Sequence, residues 1–522
     1  MLKSEFLVVA YAPFSLYLAA KAIYIFLRIH GKKFFVTKLR AIDFFQNLAF
    51  GWGRKNGYRD VLKISLPLVV SMTSHTVMLF TDRLFLSRYS VDAIAASTPA
   101  GLMAFMFMCF FSGVIGFANT LIAQSVGAGE RSQVARSLWQ AVYFAIFSGI
   151  ILAGLSFGGD FIFRVAGHEA GLRSMETVYF SILMQGAIFA LLHDALACFY
   201  SGQGLTRAIM FVNVAGVLVN IPLDYVLIFG VAGLPGMGIA GAALATIFGH
   251  VLMLAMYVLL VFSRKNRSKF GLWREHGFDR VLSWKLVKFG APAGLQFFID
   301  IFAFTYFLMM IGRIGRDALA ATNIAFALNS LAFMPMIGFS IAVSSLVGQA
   351  MGGKRPEHGV TATQSALHLT LAYMWLVACL FMLFPDFFCG IFKASGENEN
   401  LPVLSMASVL LRFVAFYSLV DGLNVIYSGA LKGAGDTAFI GWTIVVLSLF
   451  FIIIPVYLAV AVWHAGLYTA WILATFYVCA SAYAFRWRFR QGKWKSINVM
   501  ESKAATLEVS LPRPEIPGAE EL

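Results

Sequence analysis

Charge is scarce in this chain. Only 13% of its 522 residues are Asp, Glu, Lys or Arg, while 60% are hydrophobic and the mean hydropathy is +0.78. A soluble globule is about one quarter charged because its surface faces water. A soluble domain is therefore excluded, and the surface of this molecule must lie in lipid. Cysteine is equally sparse. Cys109, Cys198, Cys379, Cys389 and Cys479 form no CxxC pair, so neither a metal ribbon nor a disulfide scaffold is encoded. Acidic residues number 26 against 40 basic ones, for a formal charge of +14. Such an excess would suit nucleic acid if it were clustered. Here Lys and Arg collect at the two ends and in alternate loops, the pattern that orients membrane proteins, and no nucleic-acid partner is expected.

What the chain does have is long apolar runs. They fall at about residues 60 to 86, 93 to 122, 137 to 158, 175 to 200, 208 to 230 and 238 to 262, then at about 286 to 312, 318 to 347, 362 to 388, 404 to 430, 437 to 461 and 466 to 487. A helix needs roughly 20 apolar residues to cross a hydrocarbon core of about 30 Å. The expected fold is an all-α polytopic membrane protein of twelve transmembrane helices. A basic stretch, 263 to 285, separates an amino half at 60 to 262 from a carboxyl half at 286 to 490.

The halves are copies of each other. A shift of 225 residues places Pro67 on Pro292, Asp92 on Asp317, Gly113 on Gly338, Gln124 on Gln349 and Gly127 on Gly352. A shift of 227 places Asp194 on Asp421 and Tyr200-Ser201-Gly202 on Tyr427-Ser428-Gly429. Six helices per copy is an even number, so both copies enter the membrane from the same side. Two lobes related by a pseudo-two-fold axis along the membrane normal follow, with a site at their interface near the midplane.

The basic loops follow even-numbered runs, which places both ends of the twelve-helix core in the cytoplasm and the chain in the plasma membrane, the inner membrane if the source is Gram-negative. Residues 1–59 form an N-terminal extension. Within it Phe6 to Ile29 reads either as an extra span or, because Pro13 and Lys21 interrupt it, as an interfacial helix. Residues 491–522 read as a disordered cytoplasmic tail.

Ionisable residues inside spans carry the functional signal, because each costs at least about 2.5 kcal/mol if unpaired at mid-depth. The first run holds His75 and Asp82, seven apart on one face; the fourth holds His193 and Asp194. The fifth holds Asn213, Asn220 and Asp224 beside Pro222, the seventh Gln296 and Asp300, and the tenth Tyr417, Asp421, Asn424 and Ser428. Asn and Ser alone suit helix-to-helix hydrogen bonding. Deep carboxylates flanked by amides point instead to ion or proton sites, with the amides Gln296 and Asn213 as candidate substrate contacts. An ion pair between Asp82 and Arg83 or Arg88 is the bland alternative for Asp82, while lone His250 and His368 suit packing and Arg412 suits snorkelling.

Gly348 to Arg355 imitates a phosphate loop. It has Arg where Ser or Thr must hold magnesium and it follows an apolar helix, so no nucleotide is expected. No cofactor is implied either, and an ion gradient or the membrane potential must supply the energy. The chain is expected to be a transporter and not an enzyme.

Several short motifs then resemble the multidrug and toxic compound extrusion (MATE) family over about residues 60 to 490. They are Phe80-Thr-Asp82 with Asp92-Ala-Ile-Ala-Ala96, Gln124-Ser-Val-Gly-Ala-Gly with its twin Gln349-Ala-Met-Gly-Gly, Gly202-Gln-Gly-Leu-Thr206, Asn220-Ile-Pro-Leu-Asp224, Gly238 to Thr246, and Ser428 to Thr437. The resemblance implies a V-shaped pair of lobes that exports organic cations in exchange for protons or sodium ions. It also implies a cation site at Asp82, Asn220, Asp224 and Thr246 in the amino lobe, and another at Asp300, Tyr417 and Asp421 in the carboxyl lobe, where Asp300 and Asp421 would hold Na+ if sodium is the coupling ion. The family usually has Glu at position 300, and this chain departs from it in carrying both residue sets. Arg83 beside Asp82 would weaken the first site by holding its carboxylate ionised.

The repeat places His75 opposite Asp300 and Asp194 opposite Asp421, so His75 and Asp194 are expected either to form a second proton-titratable pair or to join the first and fourth helices structurally. Small organic cations and the lipid bilayer are the expected partners, and a monomer the expected state. A lipid-linked oligosaccharide flippase of the same superfamily is the alternative function. It ranks lower because its phosphate cargo needs a cationic groove, and Arg412 is the only arginine well within a span.

Overall fold

The structure is a computed structural model that describes residues 52–165, 169–231, 235–392, 401–497 and 499. The extra helix expected at 6–29 lies outside the described residues. Among those described, twelve helices are long and apolar enough to cross a membrane. They are α1 (Tyr58–Tyr89), α2 (Val91–Ala128), α3 (Arg131–Leu155), α4 (Ala170–Gly202), α5 (Thr206–Phe229) and α6 (Gly238–Val261), then α7 (Arg280–Ile314), α8 (Arg316–Gly352), α9 (Pro356–Leu383), α10 (Leu401–Ala434), α11 (Thr437–Val462) and α12 (Leu467–Gln491). Continuous helices satisfy every backbone group internally, as lipid requires.

Local sequence sets the ends. Ser90 caps α2 by accepting from the Asp92 and Ala93 amides, and Asp279 caps α7 by accepting from Val281 and Leu282 at 3.0 Å each. Gly129, at φ 78, terminates α2 in the left-handed region. Because Asp279 supplies a cap, α7 begins at Arg280, six residues before its apolar run. Proline interrupts α1, α2, α5, α7 and α8 from within, and α11 winds in π fashion on either side of Pro455.

The two halves pack as copies. Helix α2 lies on α4, α3 on α4, α1 on α5 and α4 on α6; α8 lies on α10, α9 on α10, α7 on α11 and α10 on α12. Between the lobes α2 meets α7 and α8 meets α1, the same pairing with the halves exchanged. The backbones touch there. A side chain at Gly127 would collide with the Gln349 carbonyl, and one at Gly352 with the Gln124 carbonyl. Gly113 likewise abuts Gly294 while Gly338 abuts Val69. Each pair of contacts exchanges under the 225-residue shift, so the pseudo-two-fold axis expected from sequence is visible as paired collisions around it.

Hydrogen bonds reinforce this crossing. Gln124 Nε2 donates to the Gly433 carbonyl at 3.2 Å, Gln349 Nε2 to Gly202 at 2.8 Å and Thr120 Oγ1 to Lys432 at 3.0 Å, while Asn119 Oδ1 accepts from Ser345 at 3.1 Å. All sit toward the ends of α2 and α8 that run into the basic loops. The lobes are therefore joined from mid-membrane to the basic face.

Of the tail expected to be disordered from residue 491, only 491–497 and 499 are described, and there a short 3-10 turn, Lys493–Ser496, follows α12. Trp494 is fully buried, stacks on Phe489 with centroids 4.9 Å apart and donates its indole N–H to the Phe489 carbonyl. One satisfied indole outweighs the polar residues around it.

Candidate cation sites in the two lobes

In the amino lobe, Asp82 (α1), Asn220 and Asp224 (α5) are buried at 5%, 0% and 0% exposure. The two carboxyl groups approach within hydrogen-bonding distance. No donor serves Asp82 Oδ1, either Asp224 oxygen or Asn220 Oδ1, and Asn220 Nδ2 has no acceptor. Two carboxyl groups this close disfavour joint ionisation. Pro222 lies between Asn220 and Asp224 and can make no i→i−4 bond, which frees the Leu218 carbonyl nearby. Thr246 does not join this group; its hydroxyl donates to the Ala242 carbonyl at 3.1 Å within α6. Arg83 is exposed whereas Asp82 is buried, because successive helical residues point about 100° apart. No salt bridge forms between them among the described residues.

Deeper in the same lobe, Asp194 takes its own neighbour as partner. His193 Nδ1 lies 3.2 Å from Asp194 Oδ1, and Ser112 Oγ donates to Oδ2 at 2.6 Å. The expected bond from His75 is not made. His75 and His250 instead stand within electrostatic range of the His193 and Asp194 pair. The repeat arithmetic matches positions between the lobes and cannot see this contact between neighbours within α4. Asn213 donates to Ser71 Oγ at 2.6 Å, which turns its carbonyl oxygen toward His193 Nε2 at 3.3 Å. Both ring nitrogens of His193 thus face oxygen atoms, of Asp194 and Ala190 on one side and of Asn213 on the other. Asn213 is committed to this network and is not free for cargo.

In the carboxyl lobe, Asp300 (α7) accepts from Tyr477 (α12) at 3.0 Å and from Gln296 at 3.3 Å. Asp421 (α10) accepts from Asn424 at 3.1 Å and stands within electrostatic range of Asp300. The Gln296 and Asn424 amide oxygens are buried without a donor. Two carboxylates and two idle amide oxygens make an all-oxygen environment of the kind that hard cations prefer. Among the described residues no group of three or more His, Cys, Asp or Glu could hold a metal, so a transition-metal centre is not formed. Tyr417 does not reach either acid by a hydrogen bond; its ring packs on Trp471 at 6.5 Å. Tyr477, absent from the sequence-based set, takes that place. It sits among apolar residues of the last run, and only its placement against Asp300 reveals it.

Asp194 is 38% exposed at its side chain, and Asp300 and Asp421 are half-buried. Cys109 on α2 lies within electrostatic range of both Asp194 and Asp300. Acids of both lobes thus lie near α2 and are partly accessible, unlike sealed Asp82 and Asp224. Arg412 is exposed, so the lobe interior lacks its charge.

The family model described as MatE matches residues 67–226 and 292–458, one stretch in each lobe. The chain belongs to the MATE family. Its members are transporters and not enzymes, and the flippase alternative is not favoured. Among curated MATE relatives, the probable multidrug resistance protein NorM of Brucella suis is 28% identical over 392 residues, covering 74% of this chain and 82% of its own. The Thermotoga maritima protein of the same name is 26% identical over 417 residues, 79% and 88% of the two chains. A crystal structure of MATE in complex with MaL6 matches with TM-score 0.76 at 20% identity, over 84% of this chain and 97% of that one. An outward-facing conformation of a multidrug resistance MATE family transporter matches with TM-score 0.76 at 20% identity, over 86% and 99%. Asp82, Asp224, Asp300 and Asp421 all fall inside the matched stretches, whereas Thr246, Tyr477 and the linker fall outside.

Proposed function

We propose that this MATE transporter is an antiporter that exports small organic cations, drugs among them, in exchange for protons or sodium ions. The curated relatives are named for multidrug resistance, which supports the cargo class. The observation that carries the reading is the proximity of Asp300 and Asp421, each held by an amide N–H, of Gln296 and Asn424, whose own oxygens are left without a donor. A buried carboxylate must be neutralised by a proton, a small ion or a cationic cargo, and cannot hold all three at once. Competition for one set of acids is what couples opposite movements. Asp300, Asp421, Gln296 and Asn424 form the carboxyl-lobe site, with Tyr477 replacing Tyr417 as its hydroxyl donor and with Na+ held by the two acids if sodium couples. Asp82, Asn220 and Asp224 form a second ion site, to which Thr246 would belong only after α6 moves. Asp194 remains a proton site, with His193 as its direct partner and His75 beside them. The protein acts as a monomer in the plasma membrane with the basic face cytoplasmic, a reading supported by the Lys and Arg bias of the loops.

Reconstituted vesicles loaded with ethidium test this. Export under an imposed proton or sodium gradient, and none when both are collapsed, is the expected result; export indifferent to both gradients rejects antiport. In the same assay His193→Gln and His75→Gln should displace the pH profile, because His is the side chain that titrates near neutrality. Unchanged profiles in both remove the histidines from coupling.

A further inference from the structure

The linker between the lobes is a built element. After α6 a short helix, Arg264–Phe270, is followed by a turn in which the Arg274 and Glu275 amides both donate to the Gly271 carbonyl. Helix α3 holds this turn from beneath. Trp139 Nε1 donates to the Leu272 carbonyl at 2.8 Å, Gln140 Nε2 to Gly277 at 3.1 Å and the Tyr143 hydroxyl to His276. Arg136 is ion-paired to Glu275. The linker is thereby fixed to the amino lobe before the chain enters α7.

Beside it lies a cavity of about 680 Å³ lined by Arg264, Arg267, Ser268, Gly271, Trp273 and Arg274, within the size range of small-ligand sites. Arg267 stacks over Trp273 at 5.8 Å. No carboxylate pairs with Arg264, Arg267 or Arg274 among the described residues, although Glu275 next in sequence is engaged by Arg136. Three exposed arginines lining one open hollow give it a concentrated positive charge that an entering anion would relieve. Arg is the side chain whose planar fork fits phosphate oxygens two at a time. Trp273, Phe278, Val281 and Trp284 are all exposed around the same segment. Aromatic side chains in such a band mark the level of lipid headgroups.

We infer that this cavity binds the phosphodiester headgroup of an anionic phospholipid. The headgroup enters among the three arginines with its acyl chains along the exposed aromatic band, and it pins the linker that both lobes share. Basic pockets at the ends of transmembrane helices recognise lipids through this combination of charge and interfacial depth. The site is independent of the acids between the lobes and does not require the antiport reading.

Native mass spectrometry of the full-length protein in detergent doped with phosphatidylglycerol or phosphatidylcholine tests the assignment. The expected result is retention of phosphatidylglycerol over phosphatidylcholine, weakened at least about tenfold by R264Q/R267Q/R274Q, with Lys265→Gln, outside the cavity, as the unaffected control. Unequal melting of the lipid-free proteins would direct the comparison to the single variant Arg267→Glu, which should lower retention in the same sense. Retention unchanged in both variants, or equal for the two lipids, overturns the inference. Complete displacement of phosphatidylglycerol by millimolar inorganic phosphate would also overturn it, assigning the cavity to a free anion.

Discussion

Replacing Asp300 and Asp421 together with Asn is expected to abolish gradient-driven export of ethidium while leaving the protein folded. Neither substitution changes side-chain size; the new amide oxygen at position 300 can still accept from Tyr477 and that at position 421 from Asn424, while the Gln296 amide must turn its idle oxygen toward the new NH2 at position 300. What disappears is the only negative charge at this site. Losing a charged partner in such a half-buried site costs about 1.5 to 3 kcal/mol, which corresponds to roughly a ten- to 150-fold loss of affinity for a cation. The single variants should each fall short of the double, because the remaining acid still attracts cargo. Wild-type export by the double variant in reconstituted vesicles would remove these acids from the mechanism.

Gly352→Val should stop transport by a different route. Its side chain would meet the Gln124 carbonyl on the opposite lobe, where no flexible group can yield. Closure at the basic face would then cost about 1 to 3 kcal/mol of overpacking, shifting the balance between conformations by roughly 5- to 150-fold. With the five native cysteines replaced, Ser345→Cys, buried against Asn119 in this arrangement, should become reactive to a membrane-impermeant maleimide when Gly352→Val is added. Gly154→Val, where an added side chain meets nothing within 4 Å, serves as the control. Full transport by Gly352→Val would mean that the lobes do not have to close there.

The duplication explains both results and was legible before any coordinates. Matching Gly127 to Gly352 and Gln124 to Gln349 requires only a fixed shift of the sequence, and those four residues turn out to be the ones that touch across the axis. Twelve spans were legible because apolar composition alone decides membrane crossing. The carboxylates were legible because acids are rare and costly in lipid. Partner choice was harder. Tyr417 and Tyr477 are both tyrosines in apolar helices, and only the packing of α10 and α12 around α7 decides which reaches Asp300. His75 lost Asp194 to His193 because local geometry within α4 competes with tertiary geometry, and a repeat alignment reports only the latter. Trp494 defeated a composition argument because one buried indole can order a short polar segment.

The claim at the centre of the account is that the same acids hold cargo and coupling ion by turns. Ethidium binding to the purified transporter, followed at several pH values with and without sodium, measures that competition directly. The account predicts an apparent Kd that rises as pH falls or as sodium is added, up to about tenfold per pH unit if one proton is exchanged for one cargo, with the dependence lost when Asp300 and Asp421 are Asn. An apparent Kd that stays constant across both series would contradict it.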